Sequence, residues 1–324
     1  MADEAKTLDQ FYTKSSVAQD CVELALDYAS KLGYDLSKLK ALEPSAGSGS
    51  FVYALRDKGV KVDGYDIAPK DRLVKTLDFL NSDISKPGAR SNLIVIGNPP
   101  FGKRAKLAID FINKAFDYSD TVIFILPLQF YKHSAQSKLN QDARLVYSAK
   151  LPEKSFTFLG EDYGVRCCVQ VWTLRPQEVD LRLRSSPVTK HDDFDMWQYN
   201  NTRQAEKYFD KAYYGWDFAV PRQGYKDYSH KMIDPADMDR RTQWIFFKAY
   251  TPQVLANLKQ LDFHKLSLKN TSTPGFGKAD VIEEYQLMFG GQPRLATSST
   301  ATQTFQLDGP SPNFAETLSP LPNL

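Results

Sequence analysis

"LKALEPSAGSGSFVYALRDKGVKVDGYD", Leu39 to Asp66, carries the pattern on which the fold turns. "LKALEP" reads as a strand, "SFVYALRDKG" as a helix stopped by Gly59, and "VKVDGYD" as a second strand. In the turn between strand and helix, Gly47 and Gly49 let the backbone approach a ligand closely. The free amides of the following helix attract a negative group. A dinucleotide fingerprint would want a third glycine near position 52, and Val52 stands there. Asp66 ends the second strand near the ~20-residue offset at which an acidic side chain meets ribose hydroxyls in this architecture. It is then a nucleoside contact; the alternative is a solvated strand-end carboxylate.

The alternation continues outward from this unit. Apolar residues at helical spacing from Val17 to Lys31 predict a helix before the sheet. "NLIVIGN" is a further strand, "LAIDFINKAFDYS" a helix, "TVIFILP" a buried strand and "VRCCVQVWTL" another, the last preceded by "FTFLGEDYG" as a loop. Such a sequence implies right-handed crossovers and a mainly parallel sheet covered on both faces. After Leu174 aromatics mix with both signs of charge without a long period, which fits a second, less regular domain containing one short helix, "TPQVLANLKQLDFHKL". From about residue 289 the chain turns Ser, Thr, Pro and Asn rich, the composition of a disordered tail. The expected division is residues 1–178, 179–288 and 289–324.

Bulk properties bound the function without choosing it. With 324 residues, 42% of them hydrophobic, the chain can bury a full core and carry a second domain. A net charge of +2 means that any polyanion must be met by local patches. The three cysteines, Cys21, Cys167 and Cys168, are too few and too awkwardly spaced for a disulfide framework or a zinc site. The adjacent pair would face opposite sides of a strand. They are expected to be reduced core residues of a cytoplasmic protein, nuclear if the source is eukaryotic. The N-terminal stretch lacks an apolar signal core, and no run approaches the ~18 apolar residues of a membrane span. No membrane, no metal and a monomer are the expectations.

"IVIGNPPFGK", Ile94 to Lys103, follows a buried strand with an amide at Asn98, consecutive prolines at Pro99 and Pro100, and the ring of Phe101. A stiffened strand end with one carboxamide and one aromatic face suits a flat substrate. Together with "DQFYTK", "EPSAGSGSF" and "FTFLGEDYGVRCCVQVW", in that order, this segment resembles the S-adenosylmethionine-dependent amino-group methyltransferases, in the gamma-type arrangement of adenine-N6 DNA methyltransferases. The resemblance covers roughly residues 8 to 174. It implies a Rossmann-like seven-stranded α/β sheet followed by a smaller, irregular target-recognition domain. It also implies S-adenosylmethionine as cofactor and nucleic acid as partner, DNA before RNA.

By the same resemblance Phe11, Tyr12 and Thr13 cover the cofactor, and Glu43, Pro44, Ser45, Ala46 and Gly47 with Gly49 and Phe51 cradle its methionine part. Asp66 with Ile67 takes the ribose, and Asp83 with Ile84 the adenine amine; Asp83 in "NSDI" is otherwise a turn residue. Asn98 borders the cofactor as well as carrying chemistry with Pro99, Pro100 and Phe101. The chemistry of these four agrees. An exocyclic amine is a poor nucleophile because its lone pair is delocalised into the ring. The Asn98 side-chain oxygen and the Pro99 carbonyl can accept its hydrogens without being protonated at neutral pH, the prolines orient them beforehand, and Phe101 can stack on the base.

A base inside a duplex must be flipped out, and Tyr163, or else Phe158, would offer a second aromatic face; either could instead be core. Lys103, Arg104 and Lys106 start the next helix, where the macrodipole mildly disfavours cations. They meet phosphates or form a solvated turn. Arg222, Lys226, Lys269 and Lys278 are candidates for tracking a backbone, with a structural role as the equal alternative. Adenine-N6 methylation of RNA and glutamine-N5 methylation of protein use similar acceptors and stand as the alternatives.

Overall fold

The computed structural model describes residues 11–84, 92–158, 160–268 and 273–290. They fall into two compact units that divide at Ser185/Ser186. The expected tail from 289 lies outside the described residues, apart from its first two positions.

Unit 1 is built on a seven-stranded sheet. The chain enters through β1 (Tyr12–Thr13) and α1 (Ser15–Lys31), then runs β2 (Lys40–Glu43), α2 (Ser50–Asp57), β3 (Lys61–Asp66), β4 (Val74–Thr76) and β5 (Leu93–Gly97). It continues through α3 (Lys106–Ala115), β6 (Thr121–Pro127), the single turn α4 (His133–Gln136) and β7 (Arg144–Lys150). A small hairpin, β8 (Phe156–Phe158) and β9 (Glu161–Tyr163), precedes the last strand, β10 (Cys167–Thr173). The sheet order is β4-β3-β2-β5-β6-β10-β7. β10 alone runs antiparallel to its neighbours, inserted between β6 and β7. This is the seven-stranded α/β sheet of class I methyltransferases.

The apolar strands explain its burial. Every residue of β5, β6 and β10 is buried, as a sheet covered on both faces demands. Two cores result, one on each face. Cys167 lies in the core with α1 and α2, and Cys168 in the core with α3, so the adjacent cysteines do face opposite ways. All three cysteines are free and buried.

Several short or edge elements depart from the sequence reading. β1 has two residues, too short for a periodic signal, and β7 is an edge strand with a partly exposed face. "FTFLGEDYG", read as a loop, forms β8 and β9, which join β1 in a separate three-stranded sheet. The three-glycine fingerprint is resolved in space. A Cβ on Gly64 of β3 would lie 2.7 Å from Val52 Cγ2, so the close helix–strand approach is made by a glycine on the strand, not on the helix.

Unit 2 centres on an antiparallel sheet of order β11-β13-β12, with β11 Phe194–Tyr199, β12 Phe218–Gln223 and β13 Gln243–Ala249. The single turn α5 (Lys211–Tyr214) lies between β11 and β12. The expected helix is two, α6 (Pro252–Gln260) and α7 (Phe263–Ser267), the second capped by Asp262. A further helix, α8 (Lys278–Phe289), was not legible as periodic. Phe218, Phe247, Phe263, Phe276 and Tyr285 fill the core. Among the described residues no helix is long and apolar enough to cross a membrane.

Candidate active site

Strand order reverses between β2 and β5, and a ligand cleft is expected beyond the carboxyl ends of the strands at such a switch point. A cleft of about 320 Å³ opens there. It is lined by the residues that leave β2 (Glu43 to Ser48), β3 (Asp66, Ile67, Ala68), β4 (Leu77 to Asn81) and β5 (Asn98, Pro100). Phe11 to Thr13, Ser50, Phe51, Leu107 and Phe111 complete it.

The glycine turn is held from two sides. Asp66 accepts the amide hydrogens of Gly47 and Ala68, both at 2.8 Å. Gly47 has φ +48°, and a Cβ there would lie 3.0 Å from the Tyr12 ring, so the turn and the N-terminal segment close on each other only with glycine. Burial, with the nearby Asp66 carboxylate adding to it, raises the Tyr12 hydroxyl above its ordinary range.

Glu43 is buried at the end of β2. Gly97 on β5 makes room for it, since a Cβ would lie 3.2 Å from Glu43 Cγ. Its Oε2 has no hydrogen-bond partner. Burial first, and Asp66 second, hold this carboxyl well above the usual carboxylate range, against a smaller opposing effect of a backbone hydrogen bond from Val52.

The loop after β5 is fixed by its neighbours. Ser45 Oγ donates to the Asn98 carbonyl at 3.1 Å, and Asn98 Nδ2 donates to the Phe11 carbonyl at 3.4 Å. The remaining side-chain atom, Asn98 Oδ1, is buried and has no partner. A buried carbonyl oxygen left without a donor costs about 1–3 kcal/mol. Pro99 is buried, Phe101 is half-buried and packs against both cores, and neither lines the cleft.

Other expected residues fall less simply. Gly49, with φ +82°, caps α2 beside the cleft without lining it. Asp83 is exposed and Ile84 half-buried, and both lie outside the lining. Asp78, Phe79, Leu80 and Asn81 occupy that edge of the cleft and were missed. Their signal, "LDFLN" after a strand, was hidden because β4 is so short. Asp78 accepts from the Leu80 and Asn81 amides and from Asn81 Nδ2, bonds that lower its carboxyl below the ordinary range, the Asn81 side chain foremost.

Tyr163 and Phe158 do not line the cleft. They cluster with Phe11, which stacks on Tyr163 at 4.6 Å between centroids and 8° between planes. Lys103 and Arg104 are exposed on a 3₁₀ turn ahead of α3, with Arg104 at φ +56°. Lys106 opens α3 and pairs with Asp110 at 2.7 Å.

In unit 2, Arg222 sits at a bulge of edge strand β12 and donates to Gln243 Oε1 at 2.6 Å, and Lys278 donates to the Met196 carbonyl. Burial lowers the proton affinity of both. These two cations are spent inside the unit. Lys226 is exposed, and Lys269 lies outside the described residues.

The donor set fits S-adenosylmethionine. Acidic groups at the ends of β2 and β3 suit its ammonium and ribose, and Phe79, Leu80, Leu107 and Phe111 give an apolar slot for its adenine. Fold and cleft together are like those of class I, S-adenosylmethionine-dependent methyltransferases. Residues 54–196 match the family model of the EDM2 methyltransferase-like domain.

Among solved structures, the chain is similar to a candidate RNA methyltransferase of Pyrococcus horikoshii, at 19% identity and TM-score 0.40, over 51% of this chain and 87% of that one. It is also similar to a candidate class I S-adenosylmethionine-dependent methyltransferase of Listeria monocytogenes, at 16% identity and TM-score 0.38, over 54% and 64%. A third is the Pyrococcus abyssi tRNA (uracil-54, C5)-methyltransferase, solved with S-adenosyl-L-homocysteine, at 17% identity and TM-score 0.31, over 47% and 38%. No curated protein matches the chain. The strand order of this chain, not these likenesses, carries the fold.

Proposed function

We propose that this chain methylates the exocyclic N6 amine of adenine in DNA, taking the methyl group from S-adenosylmethionine. The observation that carries the reading is the bare Oδ1 of Asn98, a buried acceptor at the mouth of the cofactor cleft. When bound, the cofactor supplies a methyl carbon on a positively charged sulfur; the amine nitrogen bonds to that carbon, the carbon–sulfur pair returns to sulfur, and the amine releases one proton to water. Everything else is positioning by the chain.

Asn98 Oδ1 and the Pro99 carbonyl accept the two amine hydrogens and draw the nitrogen toward a tetrahedral geometry, so that its lone pair can point at the methyl carbon. Ser45 and Phe11 fix the loop in advance, which is where preorganised acceptors gain their catalytic advantage. Asp66 supplies negative charge toward the cationic cofactor, and the buried Glu43 carboxyl offers it an unpaired acceptor oxygen. Phe101 and Tyr163 are the stacking partners proposed for a flipped base. Lys103, Arg104 and Lys226 are the cations proposed to meet phosphates.

The test is transfer of labelled methyl to duplex DNA, single strands, RNA and protein, followed by identification of the modified monomer. N6-methyladenine in DNA is the expected product. N6-methyladenine in RNA alone would move the substrate class, and methylglutamine would overturn the reading. Asn98→Ala is expected to lose ~10² to 10³ in turnover with calorimetric affinity for S-adenosylmethionine nearly unchanged. Turnover near wild type in that variant would remove Asn98 from the site.

A further inference from the structure

We propose that Phe11 is a positioning residue for the accepting amine, acting through its carbonyl on Asn98 and through its ring on Tyr163. This rests on the reading of Asn98 given above and goes beyond the covering of cofactor that the N-terminal segment otherwise provides.

A carboxamide can turn its oxygen or its nitrogen toward a ligand, and only the oxygen accepts from an amine. The Phe11 carbonyl takes the Asn98 Nδ2 hydrogen, which selects the rotamer that leaves Oδ1 bare. On the other side, the Phe11 ring covers one face of Tyr163 with the planes 8° apart. Phe158 tilts against both rings, at 5.7 Å from Phe11 and 5.5 Å from Tyr163. Tyr163 therefore has one face covered and its side chain already ordered, so the entropy of holding it is not lost if a base stacks on the other face.

Phe11 can do this because its segment is fastened at both edges. Tyr12 and Thr13 pair with Thr157 and Phe156. The Lys14 amide donates to the Ser155 carbonyl at 3.1 Å, and the Lys14 ammonium pairs with Asp162 at 2.6 Å. Toward the cofactor, Ser50 Oγ donates to the Thr13 carbonyl at 2.8 Å. Phe11 itself lines the cleft. One residue thus touches the cofactor cleft, the amine acceptor and the aromatic that faces the base.

The experiment compares full-length wild type with Phe11→Ala, Phe11→Tyr and Asn98→Asp, using S-adenosylmethionine calorimetry and kcat and KM for the adenine-containing polymer that wild type methylates. Melting temperatures identify any variant that fails to fold. Phe11→Ala is expected to lose about 10- to 100-fold in kcat at saturating cofactor and polymer, with cofactor affinity within about threefold; Phe11→Tyr, which keeps a ring to stack, restores kcat. Asn98→Asp keeps acceptor oxygens but cannot donate to Phe11, and is expected to lose turnover by a similar factor. An affinity loss of about tenfold or more with kcat unchanged would make Phe11 a cofactor cover only and overturn the proposal. So would wild-type kcat in Phe11→Ala, or substantial turnover in Asn98→Asp. If wild type itself leaves adenine unmethylated in every polymer, the reading of Asn98 falls and this inference with it, an outcome visible before any variant is compared.

Discussion

On the β6–β10–β7 side of the sheet, buried polar groups find one another. Gln170 donates to Ser148 Oγ at 3.0 Å and accepts from Trp172 Nε1 at 2.9 Å. Thr121 bonds Thr173 at 3.0 Å and receives the Tyr34 hydroxyl at 2.9 Å. On the β2–β5 side, Glu43 and Asn98 each keep one oxygen bare. Among the described residues, the Tyr131 hydroxyl on the closed side also lacks a hydrogen-bond partner. The same sheet thus uses buried polarity to close one half and to leave the other open for a ligand. Stability is gained at the first and given up at the second, as expected where a site must be arranged before its substrate arrives.

The comparison can be broken by exchanging its outcomes. The largest separation is between Asn98→Ala, whose loss is in turnover, and Gln170→Leu, whose loss is in stability. The second change strands Trp172 Nε1 and the Ser148 hydroxyl, and about 1–3 kcal/mol of folding stability is expected to go, with kcat per folded molecule unchanged. Denaturant melts and single-turnover rates on the same preparation check it; a turnover defect in folded Gln170→Leu would mean that the closed half also serves catalysis.

Glu43→Gln is the next effect in size. A carboxyl raised by burial keeps its proton in the folded state to higher pH than in the unfolded chain. The folded state then binds more protons, so wild-type stability falls as pH rises through the ordinary Glu range, and the loss levels off above the raised value. Glutamine has no such proton. The variant's melting temperature is expected to vary less with pH from about 4 upward, by on the order of a few degrees, in a calorimetric pH series. Parallel curves for the two proteins would mean that Glu43 is ionised in the folded cleft.

The smallest effect sharpens the contrast between exposed and internal cations of unit 2. If Lys226 meets a phosphate, Lys226→Gln lowers the salt slope of DNA binding by about 0.9 log unit. Arg222→Gln and Lys278→Gln are expected to leave that slope alone and to lower melting temperature instead, since both are bonded within the unit. Titrations at several salt concentrations distinguish them, and a flattened slope in Arg222→Gln would return that residue to the surface.

The sequence was legible where chemistry and backbone constraint coincide. "EPSAGSGSF" and "NPPF" stand at the ends of β2 and β5 because a glycine turn and a proline-stiffened loop can be read without tertiary context. Asp78 and Asn81 were not legible, since the strand that presents them is three residues long. α8 escaped because its sequence has little apolar periodicity and leaves Leu287 and Met288 exposed. For Arg222 and Lys278 the sequence left a structural and a binding role equally open, and only folding reveals which carbonyls they find.

Gly64 and Val52 illustrate the same lesson in another currency. The two positions share a single volume, 12 residues apart in the chain and 2.7 Å apart as a hypothetical Cβ meets a real methyl. A fingerprint written as spacing along one helix is in this molecule a statement about room between a helix and a strand, and either partner can supply the room. Enlarging position 64 then requires position 52 to shrink and Ala46, whose Cβ would lie 3.3 Å away, to give slightly, so that 64 and 52 act largely as one site with two addresses. A search that asks where space is conserved, rather than which letter recurs, would recognise this turn as a cofactor loop despite its missing third glycine.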